Sequence, residues 1–257
     1  MEGSDLTESQ VWLYGVLASL IAGSATGIGA LPVLIFKKTP SHRVMDMLLS
    51  FAAGVMLAAT VFSLIIPAME AGGILITIVG IIAGAVVIEL LDHILPHEHF
   101  QKGLEGHQAT VLRKIWLFVI AITLHNFPEG MAVGVGYGAG SIAVGTSLAV
   151  AIGLQNIPEG TAVAASFIKA GYTRGRSAWY SFLTGLVEPI GGLIGATAVV
   201  IARPALPFFL AFAAGAMLYV ISDEIIPETH SHGYEAVSTF SLIAGFLIMM
   251  VLDNIFG

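Results

Sequence analysis

The sequence contains no cysteine and few charged residues. Without cysteine, a disulfide framework, a thiolate metal site and a reactive thiol are all excluded. Charged residues make up 11% of the chain, whereas soluble domains carry about a quarter. The formal net charge of -7 argues against a nucleic-acid partner, because nucleic acids select basic surfaces. The shortage of charge therefore points away from a soluble domain.

Long apolar runs take the place of charge. Hydrophobic residues make up 56% of the chain, and the mean hydropathy is +0.91. A helix needs about 20 apolar residues to cross a bilayer. Eight such runs cover residues 11–36, 45–66, 73–91, 113–138, 141–168, 177–201, 206–226 and 236–256. The pattern predicts an all-α integral membrane protein, with residues 1–257 forming a single polytopic domain.

The basic residues predict the orientation of the spans. If the N-terminus lies outside, nine of the ten Lys and Arg residues fall in inside loops, and only Arg203 falls outside. Basic residues concentrate in cytoplasmic loops, so we expect both termini to lie outside. The acidic segment 1–10 lacks the basic start and short apolar core of a secretory signal. We therefore expect the first run to be a retained membrane helix.

Two repeats are visible in the sequence. Residues 125–130, HNFPEG, recur as QNIPEG at 155–160. Residues 51–57, FAAGVML, return as FAAGAML at 212–218, and each copy is followed by Ile-Ile-Pro. The second pair occupies spans that cross in opposite directions. Inverted repeats are common in transporters, so we expect one to relate the first three and last three spans around central spans four and five.

Polar side chains lie halfway along spans four, five and six. Residues four apart share a helix face, so His125 points with Glu129, and Gln155 points with Glu159. The full set is His125, Asn126, Glu129, Gln155, Asn156, Glu159 and Glu188. Pro128 and Pro158 each leave a backbone carbonyl without its helical partner. Two such helices face to face predict a cage of oxygen and nitrogen donors.

The negative charge of these side chains limits the functions that they can serve. A carboxylate at the bilayer centre costs about 2.5 to 3.5 kcal/mol or more, and the chain has three. No Lys or Arg lies in the membrane interior as a fixed counter-ion. The carboxyls must then be protonated or be neutralised by a mobile cation, and alternation between the two would couple metal and proton movement. The pattern predicts passage of divalent metal ions.

The ligand types indicate which cations fit. Imidazole and carboxylate without thiolate suit Zn(II), Fe(II), Mn(II) or Co(II), and Ca or Mg sites rarely recruit histidine. Zinc is the leading choice as the transported substrate, with iron, manganese and cadmium as further options. A second group of residues, predicted to serve metal exit at the inner side, comprises Glu224, His230, Glu89 and His93.

On these motifs the chain resembles the ZIP (Zrt/Irt-like) metal transporters, of the GufA-like bacterial branch. The paired motifs at 125–130 and 155–160 and the Glu188-Pro189 pair carry the resemblance. It implies a binuclear metal centre with the first ion at His125, Glu129, Gln155 and Glu159. It also implies a second ion at Asn126, Glu129, Asn156, Glu159 and Glu188. Some relatives have aspartate where Asn156 stands.

The resemblance also implies uptake toward the cytoplasm, an elevator-like movement of one helix bundle against another, and a homodimer. Compactness and short loops indicate a prokaryotic plasma membrane. Three other classes of function remain open. An intramembrane dimetal hydrolase would activate water at the same ligands, although the chain has no HExxH motif. A channel-like conductor would need the same polar path, and a non-transporting sensor or scaffold would need only the binding site.

Overall fold

The structure, a computed structural model, describes residues 6–36, 39–94, 111–139 and 142–256, apart from the side chains of 92–94, 111–124 and 256. Within these ranges the regular structure is helical. The helices are α1 Glu8–Ala30, α2 Pro32–Ile35, α3 His42–Ala59, α4 Ile66–Ile94, α5 Val111–Gly138, α6 Ile142–Lys169, α7 Arg174–Gly185, α8 Glu188–Ile201, α9 Leu206–Val220, α10 Ile226–Thr229 and α11 Glu235–Phe256.

Local sequence accounts for several helix ends. Thr7 caps α1, because its side chain accepts from the Gln10 N–H while the Gln10 side chain accepts from the Thr7 N–H. This reciprocal pair satisfies two donors that a helix start leaves free. Gly73 interrupts α4 with φ 74° and ψ 170°. Such a conformation is essentially confined to glycine, so the chain can turn here between two apolar runs.

Five stretches of the described residues are long and apolar enough to cross a membrane: Glu8–Ile35, His42–Leu91, Arg174–Ile201, Arg203–Thr229 and Glu235–Ile255. The second stretch has 50 residues and contains the break at Gly73. Helices α5 and α6 have 28 residues each. The all-helical architecture with several apolar helices is that of a multi-pass membrane protein.

Two π-helical segments connect consecutive helices. The segment Thr60–Ile65 joins α3 to α4, and Ile221–Ile225 joins α9 to α10. Each one ends just before a proline, Pro67 or Pro227. Proline has no N–H to continue the ordinary helical ladder, and a π turn shifts the bonding by one residue. The predicted seventh span thus reaches Thr229 through a local change of helix type.

The helices pack as two groups. Helices α1, α5, α6, α7 and α8 pack mainly on one another, and we call this group bundle A. In the other group, bundle B, α3 packs on α11 and α4 packs on α9, with the segment Thr60–Ile65 between them. The segment Ile221–Ile225 and α10 continue from α9, contact α3 and belong to bundle B. Contacts of α3 with α6 and of α5 with α9 join the bundles. The predicted spans four, five and six therefore lie together in bundle A.

Glycines allow the close packing within each bundle. A Cβ at Gly160 would lie 1.9 Å from the carbonyl oxygen of Thr26, and one at Gly54 would lie 1.9 Å from that of Leu242. Among the described residues, each glycine whose Cβ would come within 3.0 Å of another helix's backbone makes that contact inside bundle A or inside bundle B. Small residues at helix interfaces let backbones approach closely in membranes. Each bundle is therefore more tightly joined internally than to its neighbour.

Candidate metal centre

Helix α5 contributes three polar residues to the middle of bundle A. His125 is 7% exposed, Asn126 is fully buried, and Glu129 is 1% exposed. The helix continues through Pro128, one residue before Glu129. Gly130 directly after it meets the backbone of Glu188, because a Cβ there would lie 2.0 Å from the Glu188 carbonyl oxygen. The α5 motif thereby brings its polar side chains beside the start of α8.

Helix α6 contributes the matching set. Gln155 and Asn156 are buried, whereas Glu159 is partly exposed. The Gln155 side chain lies close enough to the Glu129 carboxylate of α5 to interact with it. Glu159 interacts electrostatically with His125. The two halves of the sequence repeat therefore face each other, and the residues predicted for a first ion lie in one cluster.

Glu188 joins the cluster through a break in the predicted sixth span. Helix α7 ends at Gly185 and α8 begins at Glu188, which is fully buried. Its Oε1 accepts a hydrogen bond of 2.6 Å from Asn156 Nδ2. A carboxylate at a helix N-terminus is favoured by the helix dipole. Broken helices whose ends point at a buried site are a recurring feature of transporters.

Several buried polar atoms of the cluster have no hydrogen-bond partner among the described residues. They are both amide atoms of Asn126, Oε2 of Glu129 and Oε2 of Glu188. Buried polar groups are nearly always paired in folded proteins. Oxygen atoms of this kind are suitable ligands for a divalent cation. The donor set, which combines carboxylate, imidazole and amide groups, therefore fits a transition-metal cation as cargo.

A cavity of about 50 Å³ opens beside the cluster between the two bundles. From bundle A it is lined by His125, Gln155 and Glu159, and from bundle B by Glu224 and Glu228 among others. Its volume exceeds the roughly 10 to 15 Å³ that a single water needs. The cluster thus borders a space large enough for a water molecule or a small ion.

Glu224 contacts the cluster directly. Its Oε2 lies 2.6 Å from His125 Nε2, and it also interacts with Glu159. The sequence analysis assigned Glu224 to metal exit, away from the midplane set. The contact crosses from the π-helical segment of bundle B to α5 of bundle A. An ion bound at His125 would compete with this carboxylate for the ring nitrogen.

The other residues predicted for metal exit lie apart from the cluster. His230 contacts the Ile226 carbonyl and the Thr229 hydroxyl through Nδ1, and the Thr239 hydroxyl through Nε2. Glu89 accepts a hydrogen bond from the Tyr219 hydroxyl. The side chain of His93 lies outside the described residues, as does most of the loop 92–112 that follows it.

The cluster is not a finished chelate. In the part of the chain that the structure describes, no three His, Asp or Glu side chains are arranged as a group that could hold a metal ion. The Asn156 amide is hydrogen-bonded to Glu188. Binding an ion here would require the carboxylates to move toward a common point.

One polar contact was missed by the sequence analysis. Asp253 Oδ1, on α11, accepts hydrogen bonds from Ser63 Oγ at 2.6 Å and from Ser147 Oγ at 3.2 Å. Ser147 belongs to α6 of bundle A, so this contact also crosses between bundles. The one sequence signal was an acidic residue near the end of an apolar run. Its partners are 106 and 190 residues away, beyond the reach of local patterns.

These features together define a class: a polytopic membrane protein with a buried cluster of metal-ligating residue types beside a cavity between two bundles. Comparison with known proteins narrows this class. Residues 89–253 match the family model described as ZIP zinc transporter. The chain belongs to the ZIP family.

Individual relatives align over nearly the whole chain. The zinc transporter GufA of Myxococcus xanthus is 44% identical, covering 95% of this chain and 99% of the relative. The zinc transporter ZIPB of Bordetella bronchiseptica is 41% identical, covering 95% and 82%. The human zinc transporter ZIP11 is 35% identical, covering 93% and 96%. The resemblance to the GufA-like branch is thereby confirmed.

Proposed function

We propose that this protein carries divalent transition-metal ions across a membrane by binding them in the cluster of α5, α6 and α8. One observation carries the proposal. His125 and Glu159 line the inter-bundle cavity, and the buried carboxyls of Glu129 and Glu188 interact electrostatically with Glu159. Residues 115–168, which include both glutamates of α5 and α6, contain no Lys or Arg. A mobile cation is therefore the natural partner of these carboxylates.

Zinc is the proposed principal cargo. The relatives GufA, ZIPB and ZIP11 are all named zinc transporters. The ligand types agree, since neutral imidazole and carboxylate suit Zn(II) and related divalent ions. Iron, manganese and cadmium share this preference and are proposed as secondary substrates.

The proposed first ion binds His125, Glu129, Gln155 and Glu159. Support comes from the shared contacts of these four residues across α5 and α6. The ion would replace Glu224 at His125 Nε2. A second ion would lie deeper in bundle A, between α5 and α8, where unpaired oxygens of Asn126, Glu129 and Glu188 are buried.

A carrier mechanism is favoured over a channel. The first reason is the cavity, which reaches the cluster from one direction. In the other direction Met56 and Ala59 of α3 belong to the same buried apolar cluster as Leu148 and Ile152 of α6. The second reason is that, in the described parts of the chain, close glycine contacts lie within each bundle and none joins the two. Movement of bundle A along bundle B would therefore expose the site to alternate sides.

A hydrolase is less well supported than a carrier. Such an enzyme would need a tightly retained dimetal centre and a separate acid or base. Here Glu188 accepts a hydrogen bond from the Asn156 amide and His125 contacts Glu224, and the described residues contain no finished chelate.

The arrangement in the membrane is also part of the proposal. We propose eight spans, with the break at Gly73 separating the second from the third and α7 and α8 together forming the sixth. The two π-helical segments before Pro67 and Pro227 support an inverted repeat. The distribution of Lys and Arg supports termini outside and a cytoplasmic end for the cavity. Uptake would then run toward the cytoplasm, in a prokaryotic plasma membrane and with a homodimer as the working assembly.

The test is uptake of radioactive zinc into liposomes that contain the purified protein. Glu159→Gln removes a carboxylate of the first site while keeping its shape, so saturable uptake should fall at least a hundredfold. Glu235→Gln is the matched control, because Glu235 is exposed at the start of α11. Competition by Fe(II), Mn(II) and Cd(II) would rank the substrates.

Two outcomes would contradict the proposal. If the unmodified protein binds zinc but moves none under any gradient or pH, the carrier reading fails and a retained-metal enzyme or sensor takes its place. Uptake that rises linearly with zinc concentration over the whole soluble range would indicate a channel-like conductor instead.

A further inference from the structure

Asn156 is buried where α1, α6 and α8 meet. Its side chain is fully shielded from solvent. The Nδ2 atom donates to the backbone carbonyl of Ala22 on α1 at 2.9 Å and to Glu188 Oε1 on α8 at 2.6 Å. The Oδ1 atom accepts from Gln155 Nε2 at 3.3 Å. One amide group thus connects three helices of bundle A.

The chemistry of the two acceptors determines which way the amide points. A backbone carbonyl carries no hydrogen, so the Ala22 oxygen can only accept. If the amide were turned over, its own oxygen would face the Ala22 oxygen without a proton between them, and its NH2 group would face the Gln155 Nε2 donor. The NH2 group has two hydrogens, and the two acceptors use both. The hydrogen-bond partners therefore determine which atom of the Asn156 amide is oxygen and which is nitrogen.

This orientation directs the Asn156 oxygen away from Glu188. An amide coordinates a cation through its oxygen, because the nitrogen lone pair is delocalised into the carbonyl. The group that Asn156 presents to Glu188 is a donor, which repels a cation. A joint site of Asn156 and Glu188 would require breaking both hydrogen bonds of Nδ2.

The same hydrogen bond leaves a defined set of oxygens available. With Oε1 of Glu188 engaged by Asn156, its Oε2 has no partner among the described residues. The same holds for Glu129 Oε2 and for Oδ1 of Asn126. These atoms are buried on α5 and α8. Since buried polar atoms are rarely left unpaired, they are the ones suited to a cation.

We infer that Asn156 is a positioning residue rather than a metal ligand, and that the second ion is held by Asn126, Glu129 and Glu188. The inference rests on the proposed function and changes the ligand set that the family resemblance implied. Asn156 holds Glu188 in place through Oε1, which leaves Oε2 for an ion. An aspartate at this position would add a negative charge 2.6 Å from Glu188 Oε1 in place of the donor.

Asparagine labelling tests the inference directly. The chain has three asparagines, Asn126, Asn156 and Asn254. Protein labelled with 13C at the asparagine side-chain carbonyl would give three resolved signals, assigned by Asn156→Asp and Asn254→Gln. On titration with zinc, the Asn126 signal should shift with the second equivalent, whereas the Asn156 signal should keep its position. A coordination shift of the Asn156 carbonyl as large as that of Asn126 would overturn the inference.

Equilibrium zinc binding compares a variant at Asn156 with a matched control variant. Asn156→Ala should weaken the second zinc at least tenfold in equilibrium binding and leave the first unchanged. Thr161→Val is the control, because Thr161 Oγ1 also bonds an α1 carbonyl, that of Gly29, at 2.6 Å. If Thr161→Val weakens the second zinc equally, Asn156 serves only helix packing and the inference is wrong. Uptake by the unmodified protein, measured in parallel, shows separately whether the proposed function stands.

Discussion

Ser147→Ala should shift the balance between the two access states of the proposed carrier. Ser147 of bundle A donates to Asp253 of bundle B at the end of α6 that lies away from the cavity. It precedes Gln155 by eight residues, about 12 Å along a helix. Ser63 donates to the same Asp253 oxygen from within bundle B. When the bundles separate on this side, the Ser147–Asp253 hydrogen bond must break, whereas the Ser63–Asp253 hydrogen bond can remain.

The expected shift in this equilibrium follows from the strength of the lost hydrogen bond. A hydrogen bond to a charged group contributes about 1.5 to 3 kcal/mol. The Ser147 contact is long at 3.2 Å, and Asp253 is partly exposed, so the lower end of that range applies. A loss of about 1.4 kcal/mol changes an equilibrium about tenfold. The state that is open on the Ser147 side should gain population by that factor.

The lack of cysteine makes the assay simple. Ala151 is 1% exposed within the apolar seal between α3 and α6, and Ala151→Cys would be the single thiol in the protein. A membrane-impermeant thiol reagent, added to each side of proteoliposomes in turn, should label this thiol about tenfold faster in Ser147→Ala. Ser63→Ala should leave the rate nearly unchanged. Equal labelling rates in the three proteins would refute the reasoning.

Three further predictions concern packing, chain reversal and release. Gly160→Ala would put a methyl group 1.9 Å from a backbone oxygen of α1, so stability in detergent should fall by about 1 to 3 kcal/mol or more. Gly175→Ala should not lower it, because a Cβ at Gly175 would have no neighbour within 4 Å. Gly73→Ala should cost about 1 to 3 kcal/mol because of its backbone conformation, and unchanged unfolding would contradict the assigned break. Glu224→Gln weakens a competitor for His125, so equilibrium zinc binding should tighten about tenfold; weaker binding would make Glu224 a ligand.

Much of the architecture followed from composition and short-range spacing. Apolar runs identify membrane helices because the hydrocarbon core must be crossed by residues that need no water. The spacing of His125 with Glu129, and of Gln155 with Glu159, depends only on the helix repeat. Both motifs could therefore be recognised and oriented before any tertiary information. The family followed from the same residues.

The tertiary structure decided which helices meet. The contacts of Asn156 with Glu188, of His125 with Glu224 and of Ser147 with Asp253 join residues 32, 99 and 106 positions apart. Such pairings depend on where glycines let backbones touch, and hydropathy carries no information about that. The division into two bundles and the donor role of Asn156 are likewise visible only in the tertiary structure. A sequence reading treats an asparagine among carboxylates as one more oxygen ligand, whereas the direction of its amide is determined by the oxygens that surround it.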